Sequence, residues 1–289
     1  VIIPDTVTIM QNSIFKECAG LITAKLPFNC SSVPVSMFEL CTSLVTVELP
    51  SSIKEFKENS FKSCSSLNIS EFPPFTKTIG ISAFLGCKSI TSLVCPFSIT
   101  TVNRNSFQSC TELTTVNFTS ENVNFGSCVF QSCTKLKTVQ LPSKQTRLES
   151  EDFISCSELE NIILPETMTS LGSRCFNGCN KLKRLDLPSK CTLIESHCFD
   201  GTTSLETIAL PEGVSGLGNG VFNNCGIYNI SFPSTLRSFG MWSLSDCFRL
   251  EYLHFPDKFS FFHHYACSRC FNLVNITFGK VPFEMYWNV

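Results

Sequence analysis

Charge is scarce in this sequence, and tyrosine and tryptophan are scarcer. Lys, Arg, Asp and Glu make up 16% of the 289 residues, with a formal net charge of −2. That balance gives no drive towards nucleic acid or an anionic lipid surface. No apolar run approaches the ~20 residues of a membrane-spanning helix. No basic, apolar, small-residue leader opens the chain. Val1-Ile2-Ile3-Pro4 reads instead as the tail of a repeat, so the sequence is expected to be a piece of a longer chain. No Ser/His/Asp set, paired-carboxylate site or phosphate loop stands out, so no catalytic or cofactor-binding residue is assigned. Gly216-Leu217-Gly218-Asn219-Gly220 lacks the lysine, strand and helix of a phosphate-binding loop and reads as a tight turn.

What is abundant is repetition. Apolar residues make up 43% of the chain, with 27 phenylalanines and 18 cysteines. Taking one cysteine per unit as position zero, Cys18, Cys41, Cys64, Cys87, Cys110, Cys133, Cys156 and Cys179 follow one another at 23 residues. Thr202 takes the next slot, Cys225 follows at 23, Cys247 at 22 and Cys270 at 23. Three residues before zero stand Phe15 and its equivalents through Phe222, then Leu244 and Cys267. Nine residues after zero stands proline, from Pro27 to Pro211 and at Pro256, with Thr119 and Gly279 as exceptions. Pro233 comes one residue early, which places a single deletion between Cys225 and Pro233.

Within each unit the apolar residues at plus three, six and eight, such as Leu182, Leu185 and Leu187, describe a short strand with one buried face. The proline ends it by removing a backbone donor. Phe176 and Cys179 are three apart and Cys175 and Cys179 four apart, the spacing of one face of a helical turn. A single unit cannot bury its apolar face, so the units must stack as a solenoid. Strands about 4.8 Å apart would make a sheet about 55–60 Å long.

The pattern Phe-x-x-Cys-x-x-Leu-x-x-Ile-x-Leu-Pro, as in Phe176 to Pro188, resembles the BspA-like, or Treponema-type, leucine-rich repeat and covers essentially the whole chain. It departs from commoner leucine-rich repeats in lacking the strand-end asparagine ladder. The resemblance implies an α/β solenoid: a right-handed leucine-rich-repeat array of about twelve coils, with a parallel β-sheet on one face and short helical turns between strands. The expectation is one domain over residues 1–289, degenerate and aromatic-rich over 226–289. The family is one of surface antigens and adhesion proteins that bind host matrix or other cells. The resemblance therefore implies a non-enzymatic protein-interaction module at a cell surface, with an unidentified protein partner, possible host or matrix proteins included. An intracellular scaffold within a larger assembly is the alternative.

Eighteen cysteines could mean a disulfide framework. Their register argues otherwise. Eleven occupy position zero, Cys175 and Cys198 replace small residues at minus four, Cys30 and Cys191 share minus eleven, Cys95 stands in for a strand leucine and Cys267 for the core phenylalanine. They read as small apolar residues of a core, free and buried, which suits a reducing, cytoplasmic compartment as well as protected thiols elsewhere. Cys128 alone falls in a column of mostly polar or bulky residues such as Asn105 and Glu151.

His263-His264-Tyr265-Ala266-Cys267-Ser268-Arg269-Cys270 is the one cluster with metal-like spacing. Both cysteines are core positions of the repeat and no second pair accompanies them, so no metal ligand is assigned. Charges alternate in sign from unit to unit at plus two (Glu112, Lys135, Glu158, Lys181) and plus four (Lys137, Glu160, Lys183, Glu206), which predicts ladders of ion pairs between neighbouring strands. Every tyrosine and tryptophan lies late: Tyr228, Trp242, Tyr252, Tyr265, Tyr286 and Trp287. Terminal repeats are often atypical because they cap. Exposed aromatics also anchor interfaces. Tyr228, Trp242, Tyr252 and His254 are the candidate partner-binding residues, with Tyr252 and His254 expected to face outwards from a strand.

Overall fold

The computed structural model describes residues 1–279, so Tyr286 and Trp287 lie outside the described residues. From the Cys18 register to the Cys270 register the chain completes eleven turns of a parallel β-solenoid. The expected strand is present, as in Thr115–Phe118, Thr138–Gln140 and Asn161–Ile163. Residues pair with their equivalents one period on, Val116 with Val139 and Val139 with Ile162. After the deletion the step shortens to 22 and the register stays in phase, Ile208 pairing with Ile230. Inward residues of these strands are buried and their neighbours face solvent.

A second wall was not expected. Two-residue strands such as Thr78–Ile79, Thr101–Val102 and Asn124–Phe125 form another parallel sheet, paired at the same period. Their apolar residues, eight before zero, are buried.

The expected helical turns are absent: no described residue is helical, and the architecture is all-β rather than α/β. Each coil instead places two residues in the left-handed region, five before and one before zero, as at Asn59 and Ser63 (φ 54° and 61°) or Asn105 and Ser109 (φ 58° and 59°). Two left-handed residues four apart prevent the helical ladder from propagating. The N–H groups turn towards the next coil, Ser36 N donating to Glu58 O (2.9 Å), Phe38 N to Ser60 O (2.9 Å) and Leu40 N to Lys62 O (2.8 Å). The segment is thus a third hydrogen-bonded wall, its N–H groups donating forwards to the next coil.

The three walls enclose stacked side-chain ladders. Phe15 to Phe222 make nine successive parallel stacks with centroids 5.2–5.6 Å apart. Beside them runs the cysteine ladder. From Cys41 onwards each ladder thiol donates to the carbonyl of the preceding coil's phenylalanine position, as Cys87 Sγ to Phe61 O (3.1 Å) and Cys156 Sγ to Phe130 O (3.1 Å). Cysteine thus fills a small apolar slot and also satisfies a buried acceptor. Thr202 departs from the rule, its hydroxyl donating to Phe199 O of its own coil (2.6 Å). Where the phenylalanine column ends at Leu244, aromatic volume moves to the other two walls, with Phe239, Phe255, Phe259 and Phe262 packed edge to face.

All eighteen cysteines are unpaired and fourteen are buried; Cys18 is exposed and Cys128, Cys267 and Cys270 are half-buried. Burial pushes the Cys41 thiol up to about 11 and those of Cys110 and Cys225 up to about 12.

Candidate interaction surface

The deletion shapes the strand face of the late coils. Ile227 occupies the fully buried slot filled by Leu205 and Leu250 in the flanking coils. Tyr228 N donates to Glu206 O (3.1 Å), and Asn229 pairs with Thr207. The missing residue is therefore the one between positions plus one and plus three, at Gly226-Ile227. Gly226 takes the bend because a Cβ there would collide with the Thr203 carbonyl oxygen.

No side chain then stands between Ser204 and Arg249 in the plus-two column. The Arg249 guanidinium crosses the gap, lies 5.5 Å from the Tyr228 ring centroid and comes within 3.9 Å of Glu206, two coils away. Tyr228, Asn229, Arg249, Glu251, Tyr252 and Asn272 line one open depression here. Tyr228 is 45% exposed and Tyr252 61%. His254 lies two residues beyond Tyr252 on the same exposed side of the strand Tyr252–Phe255, its Nδ1 2.8 Å from Thr277 Oγ1.

Three of the four candidate residues thus share one face. Trp242 does not. It lies on the third wall, at a left-handed position (φ 57°), stacked on Tyr265 with centroids 6.1 Å apart. Sequence reasoning also missed two exposed rings in the turns that lead into the last strands. Phe248 and Phe271 stack on each other (6.0 Å) and are exposed. The signal was available, because their column carries Thr111, Thr134 and Ser157 in earlier coils.

The alternating charge columns are not the ladders expected of them. Lys135 meets Glu112 at 2.7 Å, but among the described residues Lys137, Glu158, Glu160, Lys181 and Lys183 have no opposite charge within 4 Å. Lys137, Glu160, Lys181 and Lys183 are exposed and Glu158 half-buried, and hydration competes with pairing. A true charge ladder lies in a column that sequence reading passed over, where Glu39 pairs with Lys16 (3.2 Å) and Lys62 (3.4 Å) of the flanking coils.

Near the metal-like cluster, Cys270 Sγ donates to Leu244 O (2.9 Å) as a ladder thiol, and burial pushes the Cys267 thiol up to about 12. His263 and His264 are exposed. Among the described residues no three His, Cys, Asp or Glu side chains gather as a metal site, and no helix is long and apolar enough to cross a membrane.

Comparison with known proteins follows the repeat. The family model described as BspA type Leucine rich repeat region (6 copies) matches residues 1–114, 77–202 and 172–284. A leucine-rich repeat protein from Bacteroides ovatus shares 20% identity, covering 96% of this chain and 82% of its own, with a TM-score of 0.73. A leucine rich cell surface protein from Faecalibacterium prausnitzii shares 22%, covering 97% and 79%, with a TM-score of 0.54. The pneumococcal vaccine antigen PcpA shares 18%, covering 90% and 72%, with a TM-score of 0.52. At these identities the likeness is one of fold. No functionally curated protein matches the chain.

Proposed function

Because this chain belongs to the BspA-type leucine-rich repeat family, we propose that it is a protein-interaction module whose partner docks on the strand face of the late coils. One observation carries this reading. Tyr228 and Tyr252, 45% and 61% exposed, line one depression together with Arg249 on the strand face. Large amphipathic rings set around an arginine are the residue types that anchor interfaces. His254 belongs to the same surface and Trp242 to a different one.

Adhesion to matrix or to other cells is the role proposed, by a binding module and not an enzyme. The surface setting carried in the name of the Faecalibacterium relative supports a cell-surface location. The second reading, an intracellular scaffold, draws its support from the fourteen buried free thiols, which a reducing compartment suits.

The test compares the purified chain, a Tyr228→Ala/Tyr252→Ala variant and a control with Thr46→Ala/Thr115→Ala on the same face of early coils. Each is applied to immobilised extracellular-matrix proteins and to intact epithelial cells. Loss of binding in the tyrosine variant alone supports the reading. Equal binding by all three contradicts the site, and binding by none contradicts the adhesion role in favour of the scaffold.

A further inference from the structure

The third wall carries a second break in the template. Five residues before zero, successive late coils place His197, Gly220, Trp242 and Tyr265, all left-handed. In a regular column each side chain stacks on the next. Tyr265 covers one side of the Trp242 indole, parallel to within 4°. On the other side the neighbouring coil offers Gly220, which has no side chain. The His197 imidazole leans into that place: a Cβ on Gly220 would meet its ring at 2.5 Å. Its Nδ1 lies 3.1 Å from Asp200, whose other oxygen accepts from Asn223 Nδ2 (2.9 Å).

What remains between imidazole and indole is an open slot of about 330 Å³ with a polar floor, formed by Asn223, Ser245, Asp246, Ser268 and Arg269. The floor is held in place by its own bonds. Arg269 Nε lies 3.1 Å from Asp246 Oδ1, and Ser245 Oγ donates to Asp246 Oδ2 (3.0 Å). The indole is 41% exposed and fixed from behind by Tyr265, so little ordering is needed for a ligand to use it.

We propose that this slot binds a pyranose ring of a glycan. A sugar presents an apolar C–H face and a rim of hydroxyls that both donate and accept. The C–H face suits the electron-rich face of tryptophan. The hydroxyl rim suits a floor that mixes carboxylate, amide, hydroxyl and guanidinium groups. A phenylalanine or tyrosine ring of a protein partner would fit the indole equally well. It would leave Asp246 and Arg269 desolvated without new hydrogen bonds, which is costly. The slot is on a different wall from Tyr228 and Tyr252, so it stands or falls separately from the strand-face reading.

The test uses the full chain with Trp287→Phe, so that Trp242 is the one indole reporting. The labelled protein is screened on a broad array of mucin-type and matrix glycans, and the array's best ligand is titrated against Trp242 fluorescence. N-acetylphenylalaninamide serves as the aromatic comparison. The expected result is a saturable fluorescence change with the glycan, and array binding of the labelled protein weakened about tenfold or more by Trp242→Ala and by Gly220→Asn. Gly220→Asn fills the slot with a residue that Asn59 and Asn105 already place in the same left-handed conformation. The tip of His197 can rotate away, so the fold should survive, and circular dichroism checks this. The proposal is overturned if no glycan on the array binds, if binding is unchanged in both variants, or if the aromatic amide binds and the glycan does not.

Discussion

Arg249 reaches Glu206, two coils away, because the coil between them lacks the one residue that would separate them. The pair itself is weak: the atoms are 3.9 Å apart and both side chains are about half exposed. The contact that holds the arginine is the Tyr228 ring beneath it. Glu206→Ala should therefore change unfolding free energy by less than about 0.5 kcal/mol. Arg249→Ala should cost about 0.5–1 kcal/mol through the lost cation–π contact. Urea titration of both variants checks the order, and a larger loss for Glu206→Ala would contradict it.

Leu40 sits at φ 63° one residue before Cys41, in the column where Gly86, Gly178 and Gly201 also sit. A left-handed leucine costs about 1–2 kcal/mol in backbone strain that glycine does not incur, offset partly by glycine's greater freedom when unfolded. Leu40 is partly exposed, so little packing is lost. Leu40→Gly is expected to stabilise by about 0.5–1 kcal/mol, read as a higher urea midpoint. A lower midpoint would contradict the left-handed assignment.

The thiols give a direct reading of burial. In native buffer at pH 8 a soluble disulfide reagent should modify Cys18 quickly and Cys128, Cys267 and Cys270 slowly. The other fourteen should wait for denaturant, because burial excludes the reagent and, as for Cys41 at about 11, holds the thiol protonated. Rapid reaction of most thiols, or bridges found by mass spectrometry, would contradict the ladder.

Much of this fold was legible because stacking makes each coil's constraints recur. Phe176, Cys179, Leu182 and Pro188 each report a slot that the next coil must fill in the same way. The second sheet was not legible, since a strand such as Thr78–Ile79 is too short to show alternation. The supposed helical turn failed for a related reason. Phe176 and Cys179 are three apart in either geometry, and only the left-handed residues around them decide; Arg174 and His197 carry no sign of that conformation in their side chains. The strand-face patch was half legible. Tyr252 and His254 stand out as residue types, whereas Tyr228 falls out of register with its column because of the deletion. That Tyr228 shares a depression with Tyr252, and Trp242 does not, depended on where the deletion fell.

Asp152 is buried (1% exposed) in the third wall, accepting from Glu149 N (2.8 Å) and Val129 N (3.2 Å). By taking the Glu149 N–H it interrupts the second sheet between Asn124–Phe125 and Arg147–Leu148. Burial raises its carboxyl well above the ordinary value, despite those two donors. The folded state thus binds the proton more tightly than the unfolded state. This stabilisation is fully present below about pH 4 and is lost as pH rises towards the folded value. Relative to an Asp152→Ser variant, the native chain should lose stability between pH 4 and pH 7.5 in urea titrations. A constant difference would contradict the raised carboxyl.

The central claim is that binding resides where the repeat template breaks, on the face of Tyr228 and Tyr252. Site-specific photo-crosslinking tests it most directly, with benzoylphenylalanine placed at position 252 or, on the same column of an early coil, at position 46. On epithelial cells and matrix, crosslinked partner should form from position 252 and not from position 46. Equal yields from both positions, or a higher yield from position 46, would contradict the claim.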